Sequence, residues 1–420
     1  MKANESIEKY PARVREYANY TVKSIKNVCK TCGPRIVGSE SDAKAREYFK
    51  ADLDKFCDET KIEPLKVSDK AFMSWVPIGA TMLILSAVAY MLGFAAVTLA
   101  LTVITLFFIV GEFIFYKPIL DIFFPKKDTA NVIGIRKAAG ETKRRIILSG
   151  HTDSAFEWTY TYHGGRPAVL TIIISAVLGV VLSIGASVYS IVTGNIISFN
   201  FAFSGDSTVT KILCIVMLVL VPFYIAALFF CNYKRPVTGA NDDLTGCFIS
   251  CAVAKFLSDN DIRSENTEVQ VLLAAGEEAG LRGAKAYGKA HAKEIKDSGI
   301  ETVFVGFDTV RDFDFKTIYE KDMTGVVKND SRVVNLIKEG ASIAGFDDVS
   351  VETIDLGSTD AAAMSQAGIP AASFVAMDPS PARYYHTRLD TEENLDLKTI
   401  EAGVKIALET TFLFDEKGID

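Results

Sequence analysis

Histidine is scarce in this 420-residue chain, which contains only four, and basic residues are in deficit: 45 lysines and arginines against 52 aspartates and glutamates give a net charge of −7. A nucleic-acid partner needs a clustered basic surface, so the charge balance argues against DNA or RNA binding. The opening residues, MKANESIEKYPARVREYANY, are charged and amphipathic and lack the apolar core of a cleaved signal, so export by that route is not expected. Cysteines number seven, an odd count, and Cys214, Cys231, Cys247 and Cys251 lie in or beside strongly apolar segments, where thiols behave as small hydrophobes. That distribution predicts a reducing compartment. The single CxxC, Cys29 to Cys32, has no second pair with which to complete a four-cysteine zinc site and is read as structural.

Apolar residues, by contrast, are abundant at 49%, and they are concentrated in two blocks. Ser74 to Leu92 and Ala95 to Tyr116 form the first, charge-free except for Glu112, and Pro167 to Thr193 and Lys211 to Cys231 form the second. About 20 residues of helix cross a hydrocarbon core, so each run is long enough to span it. The expectation is four spans in two hairpins, the second closed by the polar and aromatic loop GNIISFNFAFSGDSTVT. Lys66, Lys70, Lys117, Lys126, Lys127, Arg166, Lys234 and Arg235 flank the spans on one side and only Lys211 on the other, which predicts that the soluble part and both termini face the cytoplasm. The chain is thereby divided into an N-terminal part of a soluble domain (1–70), a first hairpin (71–124), a return to the domain (125–165), a second hairpin (166–233) and the remainder of the domain (234–420).

Outside the hairpins, helical and strand patterns alternate. Ile7, Tyr10, Val14, Tyr17, Val22 and Ile25 mark one or two amphipathic helices between Ser6 and Cys29. Ser41–Asp42 read as a cap for a helix whose inner face is Ala43, Tyr48, Phe49 and Leu53. Strands are expected over Lys61–Val67, Asn131–Arg136, Arg145–Ser149, Glu268–Ala275 and Thr302–Phe307, and a last helix from Leu397 to about Phe414.

Chemistry-bearing residues gather where these patterns end. In TGANDDLTG, Asp242 and Asp243 are adjacent carboxylates before an apolar helix; such a pair repels itself unless a cation satisfies it, although an N-cap is the plainer use of the same residues. GHTDS sets His151 and Asp153 at the end of a strand, one able to bind a metal and the other to hold the imidazole. GEEAGLRG follows a buried strand with Glu277 and Glu278, which can divide metal binding from proton transfer. Asp308 ends TVFVGF, Asp360 precedes a helix in LGSTDAAA, and His386 follows Tyr384 and Tyr385 in PARYYHTRLDT.

The ordered set HTD, GANDD, GEEAGLRG, FD and YYHT with its downstream DT resembles the signature of the M28 family of zinc aminopeptidases, over the soluble chain from about Gly33 to the end. The resemblance implies an α/β fold, a mixed and largely parallel sheet flanked by helices, carrying two zinc ions. Asp242 would bridge them, His151 and Asp308 would complete one site, and Glu278 and His386 the other. Glu277 would be the general base and Asp153 the partner of His151, with Tyr384 or Tyr385 assisting the oxyanion. The two membrane hairpins depart from the family pattern, as do Leu244 and Thr245 after the aspartate pair. Three functions are then compatible with the chain: an aminopeptidase at the cytoplasmic membrane surface, a zinc amidase acting on lipid-linked or acylated amides, and an idle membrane scaffold, against which the intact ligand positions argue. The partners expected are a peptide or amphipathic amide substrate and the lipid bilayer.

Overall fold

A computed structural model describes residues 7, 10–198, 201–204, 207–380 and 382–419. It falls into two compact units. One is built from residues 1–69, 125–156 and 236–420, and the other from 70–124 and 157–235.

The first unit is organised on a nine-stranded sheet. Its strands in chain order are β1 (Glu59–Val67), β2 (Lys127–Arg136), β3 (Arg144–His151), β4 (Thr267–Ala274), β5 (Glu301–Val310), β6 (Lys316–Asp322), β7 (Val327–Lys328), β8 (Ser350–Thr353) and β9 (Ala371–Ala376). Spatially they run β1-β2-β4-β3-β5-β9-β6-β8, with β7 on β6. The central four, β4, β3, β5 and β9, are parallel, and antiparallel pairings appear at β1–β2, β2–β4 and β9–β6. Strands covered on both faces read as unbroken apolar runs, and Ile146, Ile147 and Leu148 of β3 are completely buried. Helices α1 (Tyr10–Thr31), α2 (Glu40–Leu53), α3 (Leu244–Asp259), α4 (Arg282–Ser298), α5 (Ser331–Ile343), α6 (Asp360–Gln366) and α7 (Leu397–Lys417) complete the unit. Two clusters form its core. Ile146, Leu148, Val305, Phe307, Phe256 and Leu408 belong to one, and Val132, Val271, Leu273, Phe248 and Phe49 to the other. Helix α3 is buried around almost its whole circumference, which accounts for thiols at Cys247 and Cys251 among its apolar residues. Cys29 and Cys32 form no disulfide.

Several boundaries differ from the sequence reading. Of the one or two N-terminal helices expected, the described residues show one, Tyr10–Thr31; Ser6 lies outside the described residues. Helix α2 is capped by Ser39, whose hydroxyl accepts from Asp42 N at 3.1 Å, while the Asp42 carboxylate accepts from Gly38 N at 2.9 Å. This reciprocal cap moves the helix start back two residues, and the buried face becomes Ala45, Phe49 and Leu53, with Ala43 and Tyr48 only half-buried. Asp308 does not end its strand, because β5 pairs with β9 through Val310 across a register shift.

In the second unit four helices are long and apolar enough to cross a membrane: Phe72–Met91, Ala95–Ile114, Thr159–Val192 and Thr208–Ala227. Their outward positions are large and apolar, as at Phe107, Val177, Val181 and Val219, whereas Ser86, Thr98, Thr102, Ser183 and Ser187 are buried between them. That is the reverse of a water-soluble bundle and suits lipid on the outside with small residues at the helix contacts. The second helix ends in a π-helical turn, Ile109–Ile114, where the buried Glu112 carboxylate accepts the Leu120 amide, so the expected uniform run to Tyr116 is broken. The third breaks at Gly165, whose φ of 58° no other residue adopts readily, just before Pro167. The expected loop before the fourth is described except at residues 199–200 and 205–206.

Candidate metal centre

All seven predicted site residues lie at the carboxyl ends of the parallel strands, where open α/β sheets place their sites. His151 closes β3, Asp308 lies near the end of β5, and Glu277 and Glu278 follow β4 after Gly276. Asp242 precedes α3, and His386 stands in the segment between β9 and α7. Close backbone approach at two glycines makes this convergence possible. A side chain on Gly246 would strike the carbonyl oxygen of Phe307 and the Asp243 carboxylate, and one on Gly150 would strike Cys247 N. The start of α3 is thus pressed between β3 and β5.

The two aspartates face in different directions. Asp243 is the N-cap of α3, accepting Gly246 N at 2.8 Å. Asp242 turns the other way, with Oδ1 3.0 Å from His151 Nε2 and Oδ2 3.1 Å from His386 Nε2. The Glu278 carboxylate lies 3.1 Å from His386 Nε2 as well, and Glu277 3.9 Å from His151 Nε2. Donor atoms of His151, Asp242 and Asp308 fall within 4.8 Å of one another, and so do those of Asp242, Glu278 and His386. A third such group joins His151, Glu277 and Glu278. One nitrogen, His386 Nε2, lies 3.1 Å from both buried Asp242 Oδ2 and buried Glu278 Oε1 and cannot satisfy the two acceptors together, and buried His151 Nδ1 has no hydrogen-bond partner. Buried acceptors left unmade are expensive, so a cation among them would satisfy what the protein does not. Two imidazoles with carboxylate oxygens also form a donor set that suits zinc.

The electrostatics express the same excess of negative charge. Burial holds the Glu277 carboxyl well above its ordinary range, with Glu278 beside it adding to the effect and His151 opposing it. Asp308 is pushed up to about 7 by burial and by Asp242. Burial opposes a charge on His386, yet Glu278 and Asp242 lift it to about 10. Burial opposes the charged form of Asp242, yet the two histidines beside it hold its carboxyl below the carboxylate range. Protons retained at these positions are what a bound cation would displace.

Three further carboxylates and one guanidinium hold the frame. Asp153, expected to orient His151, lies 3.6 Å from its Nδ1, but its hydrogen bonds go to the amides of Gly276 (2.8 Å), Glu277 (3.1 Å) and Glu278 (3.2 Å). Asp243 accepts His151 N at 3.0 Å and Thr309 N at 3.2 Å. Asp390 accepts Asn241 N at 2.8 Å and Asp242 N at 3.1 Å. Fully buried Arg35 donates to the carbonyls of Thr152, Thr238 and Gly239, joining the loop after His151 to the loop before Asp242. The sequence reading missed Arg35 and the role of Asp390. The only available signal for Asp390 was its place in the LDT that follows the YYHT motif. Tyr384 donates to Asp312 at 2.9 Å, whereas the Tyr385 ring stacks on His386 at a centroid distance of 3.9 Å. Buried Asp360, left without a role by the sequence reading, lines a small cavity with His151 and Asp308.

Residues 224–411 match the model of peptidase family M28. Among solved structures, the chain is similar in fold to a zinc aminopeptidase from Bacillus subtilis (14% identity, TM-score 0.57, 94% of each chain covered). It is also similar to a Zn-dependent exopeptidase from Parabacteroides distasonis (13% identity, TM-score 0.54, 93% of this chain and 96% of that one). A glutaminyl cyclase from Fimbriiglobus ruber shares the fold too (14% identity, TM-score 0.54, 94% and 95%). No curated protein matches the chain by sequence.

Proposed function

We propose that this protein is a membrane-embedded dinuclear zinc hydrolase of the M28 type that cleaves N-terminal aminoacyl bonds of peptides at the cytoplasmic membrane surface. One observation carries the reading: the two oxygens of Asp242 face two different histidines, at 3.0 and 3.1 Å, so a single carboxylate belongs to two ligand groups. Asp242 would bridge, His151 and Asp308 would complete one ion's ligands, and Glu278 and His386 the other's. Zinc held there would supply Lewis-acid polarisation of the scissile carbonyl and lower the proton affinity of water at the centre.

The chain's own residues supply the rest. Glu277 is the general base: it belongs to neither of the two Asp242 groups, and burial has raised its proton affinity towards the range a base at neutral pH needs. It takes the proton from the attacking water and returns it to the leaving amine. Tyr385, whose ring stacks on His386 at a centroid distance of 3.9 Å, is the tyrosine beside the centre and would assist the oxyanion. Asp153 positions the turn that carries Glu277 and Glu278. The lysine and arginine bias at the ends of the spans supports a cytoplasmic catalytic unit and a bilayer partner.

The test is hydrolysis by the purified full-length protein in detergent, after chelation and after zinc is restored, of aminoacyl anilides, their N-acetylated counterparts and lipid amides. Zinc-dependent release from the free amines alone is expected. Equal turnover of acylated substrates would make the protein an amidase, and cyclisation of an N-terminal glutaminyl substrate without hydrolysis would make it a cyclase. Zinc-loaded protein inert towards every substrate would overturn the reading.

A further inference from the structure

The membrane unit contains a cavity that the hydrolase chemistry does not use. It measures about 300 Å³ and lies where the two hairpins turn, with Tyr90, Ser190, Asn195, Ser198, Ser207 and Thr210 in its wall. That volume is at the lower end of ligand sites and is roughly ten times a water molecule's share of the liquid. The loop closing it is tied down by Ala96 N to Ile196 O (3.2 Å), Ser198 N to Gly93 O (3.1 Å) and Ala202 N to Met91 O (2.9 Å). The cavity is thus built from a fixed turn and four helix ends.

Its lining is polar but, among the described residues, carries no charge. Five hydroxyls and one amide supply both donors and acceptors; Ser207 Oγ already accepts Thr210 N at 3.2 Å and the Thr210 hydroxyl at 3.1 Å, with the Tyr189 hydroxyl 3.4 Å away, while the other wall hydroxyls are less fully engaged. Tyr90 and Ser190, both buried, share one hydrogen bond of 3.0 Å, and Ser198 makes a long one of 3.4 Å to Gly93 O. Each hydroxyl can donate once and accept twice. In an apolar setting, spare capacity of this kind favours a partner that also offers both donors and acceptors. A phosphate would look for lysine or arginine and a cation for carboxylates, and this wall has neither. Around the turn, Ile196, Ile197, Phe201 and Phe203 expose apolar surface. A polar wall beside an apolar rim matches a molecule with a hydroxylated head and a hydrocarbon tail.

We propose that this cavity binds the uncharged, hydroxyl-bearing headgroup of an amphiphile in the leaflet at which the hairpins turn, with its acyl chain lying over the apolar rim. The experiment uses the full-length protein in phosphatidylcholine nanodiscs and a monoacylglycerol with a diazirine in its acyl chain, followed by peptide mapping. Labelling is expected to concentrate in 90–95 and 190–210. Unlabelled monooleoylglycerol should compete for it, whereas free glycerol at the same concentration should not. Ser190→Leu, which fills the cavity, should reduce the label at least ten-fold, and Tyr90→Phe, which removes one hydroxyl and keeps the ring, several-fold. Turnover of a soluble reporter should stay within two-fold of the parent, showing that both variants are folded. Label spread evenly along all four spans, or unchanged in both variants, would overturn the proposal. Equal competition by glycerol would overturn the amphiphile assignment.

Discussion

Asp153 is the residue whose replacement should be most informative, because its effect can be worked out from hydrogen bonds. It is 1% exposed, and its two oxygens accept three consecutive amides, those of Gly276, Glu277 and Glu278. Asp153→Ala leaves three buried N–H groups without their charged acceptor. At about 1 to 3 kcal/mol for each orphaned donor the sum is about 3 to 9 kcal/mol, and water entering the vacated space brings the expected loss to about 3 to 5 kcal/mol. Asp153→Asn can keep the Oδ1 bonds to Gly276 and Glu277, but it presents an NH2 to the Glu278 amide. Its expected cost is therefore smaller, about 1 to 3 kcal/mol. Those three amides carry the proposed base and one proposed ligand, so zinc affinity and turnover should fall together by about 10- to 100-fold, as they do when the groups supporting a metal ligand are removed. Chemical denaturation of the detergent-solubilised protein by near-UV circular dichroism, with zinc analysis and reporter turnover on the same samples, measures all three. An Ala variant within 1 kcal/mol of the parent, or an Asn variant worse than Ala, would refute the assignment of Asp153 to the 276–278 turn.

Four other outcomes are expected. Metal analysis should find two ions per chain, most of both being lost in Asp242→Ala; one ion or none in unchelated, folded protein would remove the dinuclear claim. Glu277→Gln should retain metal while turnover drops by about 100-fold or more, and Glu278→Gln should instead weaken metal binding; retained activity in the first variant would move the base elsewhere. In the metal-free protein, burial with Asp242 nearby holds Asp308 and Asp390 at about 7, so the folded state keeps protons that the unfolded state releases near pH 4, and stability falls as pH rises through that interval. His386, lifted to about 10, adds stability that is complete below about 6.5 and lost as pH rises through 10. The melting temperature after chelation should accordingly decline from pH 5 to 9, and a rise across that window would count against these assignments. Finally, replacing Pro167 to Cys231 with a Gly/Ser linker should spare soluble reporters and abolish turnover of lipid-bearing substrates if the hairpin delivers them; equal processing of both would make the hairpin an anchor only.

The sequence was most legible where chemistry and punctuation coincide. His151, Glu277, Glu278 and Asp308 each follow an apolar run and Asp242 precedes one, and polar groups placed there have few uses other than a cap or a site. The four membrane-crossing candidates were legible for a different reason, because runs of this length and hydropathy have no ordinary place in a soluble domain. What failed was local. The start of α2 moved because Ser39 caps the Asp42 amide while the Asp42 carboxylate holds the Gly38 amide, which the neighbouring Ser41 obscured. The π-helical turn at Glu112 depends on a carboxylate folding back to the Leu120 amide, a contact that hydropathy does not register.

The supporting residues were hidden because their partners are backbone amides distant in sequence. Asp243 reaches His151 N, Asp390 reaches Asp242 N, and Asp153 reaches Glu278 N. The rule they share emerges only in three dimensions: three proposed ligands have their own amide held by the carboxylate of a residue that is not a proposed ligand. Such an arrangement fixes the main chain beneath each ligand and leaves its side chain free to face the centre. It also places additional negative charge behind the ligands, which raises the proton affinity of the site and with it the advantage of a bound cation. Rigidity and charge therefore come from the same residues. Removing one of these carboxylates should loosen a ligand and weaken the attraction for metal together, whereas removing Arg35, which ties the 152 and 238–239 loops through their carbonyls, should loosen the frame while making the site more negative. If metal affinity follows geometry more than charge, Arg35→Met will lose metal; if it follows charge, the variant will hold metal more tightly than the parent while melting at a lower temperature.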